Sequence, residues 1–152
     1  MNEKARKETI DAMFELYPRG RKLIYKAFDK LEDNLTRTQQ IILLALAVKD
    51  NLSMSQLASK ICTSNEQATR AVTQLVDKGL VNRMQNKTNR RVVNISLTQK
   101  ARDHIEGAKK AVLNETLANA RGLTDEDMLV IKNSIQAVLE IIKKLDTKDI
   151  IY

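Results

Sequence analysis

Residues 53–98 read SMSQLASKICTSNEQATRAVTQLVDKGLVNRMQNKTNRRVVNISLT, and the order of patterns within this stretch decides the fold. Two segments, 53–56 (SMSQ) and 64–67 (SNEQ), place a Gln three residues after a Ser. This spacing is a capping box, in which each side chain bonds to the backbone of the other residue at the start of a helix. It predicts one short helix over about 53–60 and another over about 64–78. Two capped helices with three or four residues between them indicate a helix-turn-helix.

The second of these helices should have two chemically different faces. Its small and aliphatic residues recur at the spacing of a buried helical face, at Ala68, Ala71, Val72, Leu75 and Val76. The opposite side carries groups that hydrogen-bond to base edges and phosphates, namely Glu66, Thr69, Arg70, Thr73 and Asp77. An ordinary solvated face is the commoner meaning of such a stripe, so the hairpin that follows has to decide between the two interpretations.

The stretch closes with a predicted β-hairpin. A strand, a turn-rich loop and a second strand with alternating apolar residues fill positions 80–97. The loop holds Lys87, Arg90 and Arg91 and no acidic residue. Residues 60–91 contain seven basic and two acidic side chains, a net charge of +5 against +7 for the whole chain. The sequence therefore predicts a mainly α fold with a small β-hairpin wing, a winged helix-turn-helix whose tip suits the negative potential of a narrow minor groove.

The segments before this stretch are predicted to be helical. Residues 3–35 follow a helical pattern, in which Pro18 should cause a kink or a break near Tyr17. After a break, the proline would open a second helical segment. Residues 36–49 begin with a further capping box, TRTQ, and are apolar nearly all round. A helix of this composition is predicted to be buried in the middle of the fold.

The segments after the hairpin are also predicted to be helical. Thr98 should cap a helix that runs to about residue 120, and Gly122 should end it. Thr124, followed by three acidic residues, should cap a last helix to about residue 145. The apolar stripe of the first comprises Ala101, Ile105, Ala108, Val112 and Leu117, and that of the last comprises Met128, Ile131, Ile135, Val138, Leu139 and Ile142. From residue 115 onward there are seven acids and five bases, so this end is not expected to meet nucleic acid.

The composition bounds the class of protein. A chain of 152 residues with 43% hydrophobic and 30% charged residues is expected to fold as one domain. Its pI of about 9.6 suits nucleic acid or an anionic membrane surface as a partner, with plain solubility as the alternative. The longest apolar run, 41–48, is too short to span a bilayer, which predicts a cytoplasmic protein with no membrane partner.

The residue chemistry argues against an enzyme or a metalloprotein. One Cys and one His cannot supply the four ligands of a structural zinc site within one chain, nor an intramolecular disulfide. The sequence contains no Gly-rich phosphate loop, no HExxH motif and no plausible triad with a single His. We therefore expect no catalytic residues, no metal and no cofactor.

With these patterns in place, the chain resembles the MarR family of transcriptional regulators. The matching positions are Leu57-Ala58, Ser64, Thr69-Arg70, Leu75, Gly79-Leu80-Val81, Arg83, Asn89-Arg90-Arg91 and Leu97-Thr98. The resemblance covers nearly the whole chain and implies a single domain over 1–152, with a DNA-binding lobe over 36–98 and dimerisation helices over 1–35 and 99–152. It implies a homodimeric repressor that binds a palindromic double-stranded DNA operator, with half-sites about one helical turn, roughly 34–36 Å, apart.

The resemblance also implies which residues would touch DNA. The helix over 64–78 would contact bases and phosphates through Ser64, Asn65, Gln67, Thr69, Arg70 and Thr73. Arg91 would enter the minor groove, with Lys87 and Arg90 on phosphates. The family usually has Asp where this chain has Asn89, so the wing tip should be more positive and less ordered. Glu66 either accepts a hydrogen bond from cytosine N4 or favours the helix dipole.

Many members of the family release DNA when a small aromatic or phenolic molecule binds between the dimer-forming helices and the DNA-binding lobe. The candidate ligand residues here are Phe14, Tyr17, Arg21, Tyr25, Phe28 and His104. For any one aromatic residue, packing in the core is the favoured competing explanation.

Two other modes of action stay open. Cys62 lies just before the second helix of the motif, where oxidation would disturb DNA binding, although a buried, inert Cys is the expected state. A winged helix can also serve protein contacts without specific DNA binding. The acid-free wing discriminates against that alternative, because a protein-binding wing has no need to cluster three cations.

Overall fold

The computed structural model describes residues 2–31, 34–119 and 123–146. Within those ranges the chain forms six helices and three short strands. In order they are α1 (Glu3–Asp29), α2 (Arg37–Val48), β1 (Leu52–Ser53), α3 (Met54–Lys60), α4 (Asn65–Asp77), β2 (Val81–Gln85), β3 (Val93–Leu97), α5 (Gln99–Asn119) and α6 (Asp125–Asp146). The predicted class, mainly α with a small β-hairpin wing, is confirmed. The chain divides into two compact units, Met1–Asn114 and Glu115–Tyr152.

Pro18 does not break the first helix, so of the two expected effects, a kink or a break, the break is wrong. α1 continues through Pro18 without a new start, and it ends at Asp29 rather than near residue 35. Its N-cap is Asn2, whose side-chain oxygen accepts the N–H of Lys4 at 3.1 Å. A proline removes one backbone hydrogen bond, and the other turns of this 27-residue helix keep theirs.

Two of the predicted capping boxes are formed in full. At the start of α2, the hydroxyl of Thr36 accepts the N–H of Gln39, and the Gln39 side chain accepts the N–H of Thr36. Ser53 and Gln56 make the same reciprocal pair at the start of α3. These bonds satisfy backbone donors that a helix leaves without internal partners, which is why both starts were predictable.

The third box is only half formed. Ser64 accepts the N–H of Gln67 at 3.2 Å, which fixes the start of α4 as predicted. The Gln67 side chain does not return to Ser64, because its oxygen accepts the hydroxyl of Thr63 at 2.6 Å instead. α4 ends with Lys78 as its C-cap, followed by Gly79 at φ 69°, the left-handed conformation that glycine adopts without strain.

The three strands form an antiparallel sheet in the order β1-β3-β2. β2 and β3 make the predicted hairpin, with Val81 opposite Leu97 and Gln85 opposite Val93. β1 was not predicted, because two residues are too few to show strand periodicity. It pairs Leu52 with Ile95 and joins the motif to the wing.

The core lies where α2, α3, α4, α5 and the sheet meet, and its side chains are aliphatic. Its fully buried members include Ile42, Leu43, Leu46, Leu57, Val72, Leu75 and Ile95. The predicted buried face of α4 is confirmed at Ala68, Ala71, Val72 and Leu75, whereas Val76 is 36% exposed. α2 is central but not buried all round, because Val48 at its end is 81% exposed.

α5 begins as the sequence predicted. The hydroxyl of Thr98 accepts the N–H of Ala101 at 3.2 Å, and Ala101, Ile105 and Ala108 are buried. Val112 is half-buried. The side chain of Leu117 and the predicted stop at Gly122 lie outside the described residues.

α6 is capped by Thr124, as predicted. Its hydroxyl accepts the N–H of Asp127, and the Asp127 carboxylate accepts the N–H and the hydroxyl of Thr124. These bonds hold the pKa of the Asp127 carboxyl below its ordinary value. The apolar side chains of α6 are exposed along its length, from Met128 to Ile142. None of the helices in the described ranges is long and apolar enough to cross a membrane.

Candidate nucleic-acid interface

The outward face of α4 is exposed as the sequence predicted, at Glu66, Thr69, Arg70, Thr73 and Asp77. The two threonine hydroxyls donate back into the helix, Thr69 to the carbonyl of Asn65 at 2.7 Å and Thr73 to the carbonyl of Thr69 at 2.9 Å. A hydroxyl whose proton is used in this way still has lone pairs. Both side chains are therefore set to accept hydrogen bonds from the amino groups of bases.

Arg70 is paired with Glu66 along the helix. Its Nη2 lies 2.7 Å from the Glu66 carboxylate, and both side chains are largely exposed. An exposed pair of this kind contributes little free energy, so Arg70 can exchange its partner for a guanine or a phosphate at small cost. Sequence analysis considered two roles for Glu66, a contact with cytosine and an interaction with the helix dipole. The ion pair indicates a third role, which is to orient Arg70.

Ser64, Asn65 and Gln67 lie exposed at the first turn of α4. The hydroxyl of Ser64 is engaged as the helix cap, and the Gln67 oxygen is engaged by Thr63. Gln67 therefore has its amide N–H groups available to an outside acceptor. These positions lie at the N-terminal end of the helix, where backbone N–H groups favour anions.

Two asparagines, not acids, hold the wing loop in shape. The side-chain oxygen of Asn86 accepts the N–H and the hydroxyl of Thr88 and the N–H of Asn89. The side-chain oxygen of Asn89 accepts the N–H of Arg91 at 3.1 Å. A neutral amide oxygen serves this bond as a carboxylate oxygen would. The lower order expected at the wing tip stays a prediction.

The basic residues of the wing stay exposed and uncompensated. In the part of the chain that the structure describes, Lys87, Arg90 and Arg91 form no ion pair. Arg91 lines a shallow pocket of about 230 Å³ together with Ser53, Ser55 and Asn65. The fold thus places the predicted minor-groove arginine beside the first turn of α4, on one continuous surface.

The candidate ligand residues are separated by the structure. Phe28 is buried, packs against the His104 ring with centroids 5.5 Å apart, and lines an apolar cavity of about 290 Å³. The other residues around that cavity are Ile24, Leu44, Ile105, Ala108, Lys109 and Val112, from α1, α2 and α5. None of these six was among the candidate ligand residues, because nothing in the local sequence shows which side chains of different helices share a void.

The remaining candidates lie away from this cavity. Phe14 and Tyr17 are 78% and 66% exposed, so the core packing favoured from the sequence is wrong for both in this chain. Tyr25 lies under the Arg37 guanidinium, with 4.7 Å between the guanidinium carbon and the ring centroid, and Arg21 lies 5.9 Å from the same ring.

Arg37 connects the first two helices. Its two terminal nitrogens donate to the two carboxylate oxygens of Asp29 at 2.7 and 2.6 Å. The Arg37 hydrogen bonds hold the pKa of the Asp29 carboxyl below its ordinary value. Tyr25 is thus part of a structural contact between α1 and α2. Its pairing with Arg37 was not predicted, because the two residues lie 12 positions apart on different helices.

Cys62 is exposed, which corrects the expectation of a buried residue. It lies in the turn between α3 and α4 with φ at 53°. A tight turn here forces the left-handed conformation and turns the side chain away from the core. The described residues contain no group of three or more His, Cys, Asp or Glu side chains that could hold a metal ion.

This geometry defines a winged helix-turn-helix protein: an exposed polar helix face beside a basic hairpin, carried on an aliphatic core. A family model described as "MarR family" matches residues 35–93. This part of the chain is therefore similar to proteins of the MarR family.

Similar proteins match this chain over different shares of its length. An uncharacterised HTH-type transcriptional regulator of Bacillus subtilis, YdgJ, is 31% identical over 88 residues, which are 56% of this chain and 54% of that protein. The chain thus matches about half the length of this curated relative. A MarR family protein from Bacillus stearothermophilus shares the fold with a TM-score of 0.71 at 19% identity, covering 94% of this chain and 99% of the other. Apo MarR from E. coli gives 0.66 at 19% identity, covering 85% and 95%.

Proposed function

We propose that this chain is a sequence-specific DNA-binding transcriptional regulator, a homodimeric repressor of a palindromic operator. The observation that carries the proposal is the single surface formed by the outward face of α4 and the acid-free wing. One part supplies hydrogen-bonding groups for base edges, and the other supplies cations for a narrow groove. DNA as partner implies action in the cytoplasm.

In the proposed complex, α4 lies in the major groove and the wing follows the adjacent minor groove. Arg70, released from Glu66, would bind a guanine or a phosphate. Thr69 and Thr73 would accept from base amino groups, and Arg91 would occupy the minor groove. α4 has 13 residues and is about 20 Å long, which is enough to present Thr69, Arg70 and Thr73 within one major groove.

The test of this surface is a charge-matched pair of variants. Arg91→Gln should weaken binding to duplex DNA about tenfold and make the dependence of log affinity on log salt shallower by about one unit. Lys110→Gln makes the same charge change on α5, away from the wing, and should leave both quantities close to wild type. Equal losses in the two variants would reject the wing as a DNA contact.

The dimer is proposed from apolar surface on α1 and α6. α1 exposes Ile10, Met13, Phe14, Leu16 and Tyr17, and α6 exposes apolar side chains along most of its length. On each of the two helices, the exposed apolar side chains mark an interaction surface, because their burial against a partner is favourable. A second copy would cover these side chains and place two α4 helices on successive turns of DNA.

A small aromatic or phenolic effector is proposed for the cavity beside Phe28. Its volume of about 290 Å³ exceeds the roughly 150 Å³ known to accommodate benzene. Its lining is almost wholly apolar, and the ammonium of Lys109, which also borders it, is paired with Glu106. Phenol and benzoate should weaken DNA binding by the wild type, and Ala108→Phe, which fills the cavity, should abolish that response while retaining DNA binding.

Redox control through Cys62 is the second candidate, and it is favoured by the exposure of this residue next to α4. Oxidation of an exposed thiol adds polar bulk where α3 turns into α4. Peroxide should then reduce DNA binding by the wild type and leave Cys62→Ser unaffected. The same loss in both proteins would exclude this mode of regulation.

A further inference from the structure

The N-terminal end of α2 is hydrogen-bonded to α4, the helix proposed to enter the major groove and called the recognition helix below. Gln39, in the first turn of α2, is 2% exposed, and its Nε2 donates to the side-chain oxygen of Gln74 on α4 at 2.7 Å. The Gln39 oxygen accepts the N–H of Thr36. Both ends of this buried amide are therefore used, and its orientation is fixed by the helix cap and by α4 together.

Just beyond the C-terminal end of α2, a second polar contact joins the chain to the base of the wing. Asp50 lies two residues after the end of α2, and one of its carboxylate oxygens accepts the N–H of Leu97 at 3.0 Å. The second oxygen accepts a guanidinium hydrogen of Arg102 at 2.6 Å. Leu97 ends β3, the strand that returns from the wing, and Arg102 lies in the first turn of α5. One carboxylate thus joins the end of α2, the base of the wing and the start of α5.

We propose that α2 is the spacer that fixes the wing relative to the recognition helix, and that Asp50 is the positioning residue at the wing end. The inference rests on the proposed DNA-binding function, in which α4 and the wing must enter neighbouring grooves at the same time. α2 has 12 residues and spans about 18 Å, and it is packed in the core between the two contacts. A rigid spacer with a polar contact at each end would keep α4 and the wing at a fixed distance and orientation relative to each other.

Four variants separate positioning from simple stabilisation. Asp50→Asn keeps an oxygen for the N–H of Leu97 but loses the anion that pairs with Arg102. Arg102→Met removes the same pair from the other side. Asp50→Ala removes both of these bonds and also the bond that the Asp50 carboxylate accepts from the N–H of Asn51. Asp103→Asn is the matched control, because it makes the same charge change one residue beyond Arg102. Among the residues that the structure describes, the Asp103 carboxylate accepts a hydrogen bond only from Gln99.

The readout is the ratio of affinities for a selected operator and for random DNA, at a temperature where all variants are fully folded. Asp50→Ala should lower this ratio about tenfold, and Asp50→Asn and Arg102→Met each about threefold, with no further loss in their double variant. Asp103→Asn should keep the wild-type ratio. A wild-type ratio in Asp50→Ala would overturn the proposal.

Amide hydrogen exchange provides a second readout that needs no DNA. In Asp50→Ala the amides of β2 and β3, including that of Leu97, should exchange faster, while those of α4 stay protected. A uniform rise that includes α4 would mean that Asp50 only stabilises the fold, and would overturn the positioning role. A wild-type protein that prefers no DNA sequence would instead refute the proposed function, and the exchange data would still decide whether Asp50 holds the wing.

Discussion

At the scale of single residues, Asn89 shows how a neutral side chain can fill the structural role of the aspartate that the MarR family usually has at this position. Asn89 accepts the N–H of Arg91 through a neutral oxygen, so the tip keeps its turn and carries three cations without an acid. The sequence predicted the charge of this tip correctly. It also predicted a turn-rich loop, but not the bonds of Asn86 and Asn89, because these depend on a loop conformation that composition does not specify.

The substitution Asn89→Asp tests this separation of shape and charge. The new carboxylate should still accept the N–H of Arg91, so the melting temperature should stay unchanged. A charge of −1 close to Arg91 should weaken DNA binding about fivefold, the equivalent of roughly 1 kcal/mol at a solvated surface. Asn114→Asp makes the same change on α5, and a comparable loss there would show that only net charge matters.

Asp50 gives a prediction for pH. Burial raises the pKa of its carboxyl, but the N–H of Leu97 and the Arg102 guanidinium outweigh burial and hold the pKa below its ordinary value. A group with a lowered folded pKa stabilises the fold above its unfolded pKa, about 3.9, and loses this contribution as the pH falls through the folded value. Chemical denaturation should therefore find Asp50→Asn less stable than wild type at pH 7, with the difference shrinking below about pH 4. A difference that persists undiminished at pH 2 would contradict the assignment.

At the scale of elements, helix starts were predictable and contacts between elements were not. The caps at Thr36, Ser53, Ser64 and Thr124 are local bonds between residues three apart, so the sequence displays them directly. The contacts of Gln39 with Gln74 and of Asp50 with Leu97 join residues 35 and 47 positions apart. No local pattern announces such pairs, and the cavity beside Phe28 is hidden for the same reason.

Pro18 is the element-scale error, and it yields a prediction. A proline in a helix interior is about 3 kcal/mol less favourable than alanine, so Pro18→Ala should stabilise the chain, by up to that amount. Thermal unfolding followed by circular dichroism measures the effect. Gly20→Ala, at a half-buried position where an added Cβ meets no atom within 4 Å, is a milder helix-favouring control and is expected to contribute about 1 kcal/mol. A lower melting temperature in Pro18→Ala would mean that the shape imposed by the proline is needed for packing.

At the scale of the whole molecule, charge and apolar surface occupy different parts of the chain. The wing and motif carry a net +5, whereas the residues from 115 onward carry more acids than bases. Exposed apolar side chains concentrate on α1 and α6. The sequence could predict this division because net charge and helical stripes are read from composition and spacing alone.

The proposed dimer is tested by two exposed apolar residues of similar accessibility. Phe14 on α1 is 78% exposed and Val48 at the end of α2 is 81% exposed. Phe14→Asp should convert the dimer to a monomer in sedimentation equilibrium, because a charge buried at an interface is costly. Val48→Asp should leave the dimer intact. The reverse pattern, or a wild-type monomer, would place the contact surface elsewhere.

The central claim is that α4 and the wing bind a specific DNA sequence as two copies related by symmetry. Selection of bound duplexes from a random pool by the wild-type protein measures this directly. We expect an enriched palindrome with half-site centres about one helical turn, roughly 10 base pairs, apart. A pool that shows no enrichment, or an enriched site without two-fold symmetry, would contradict the account.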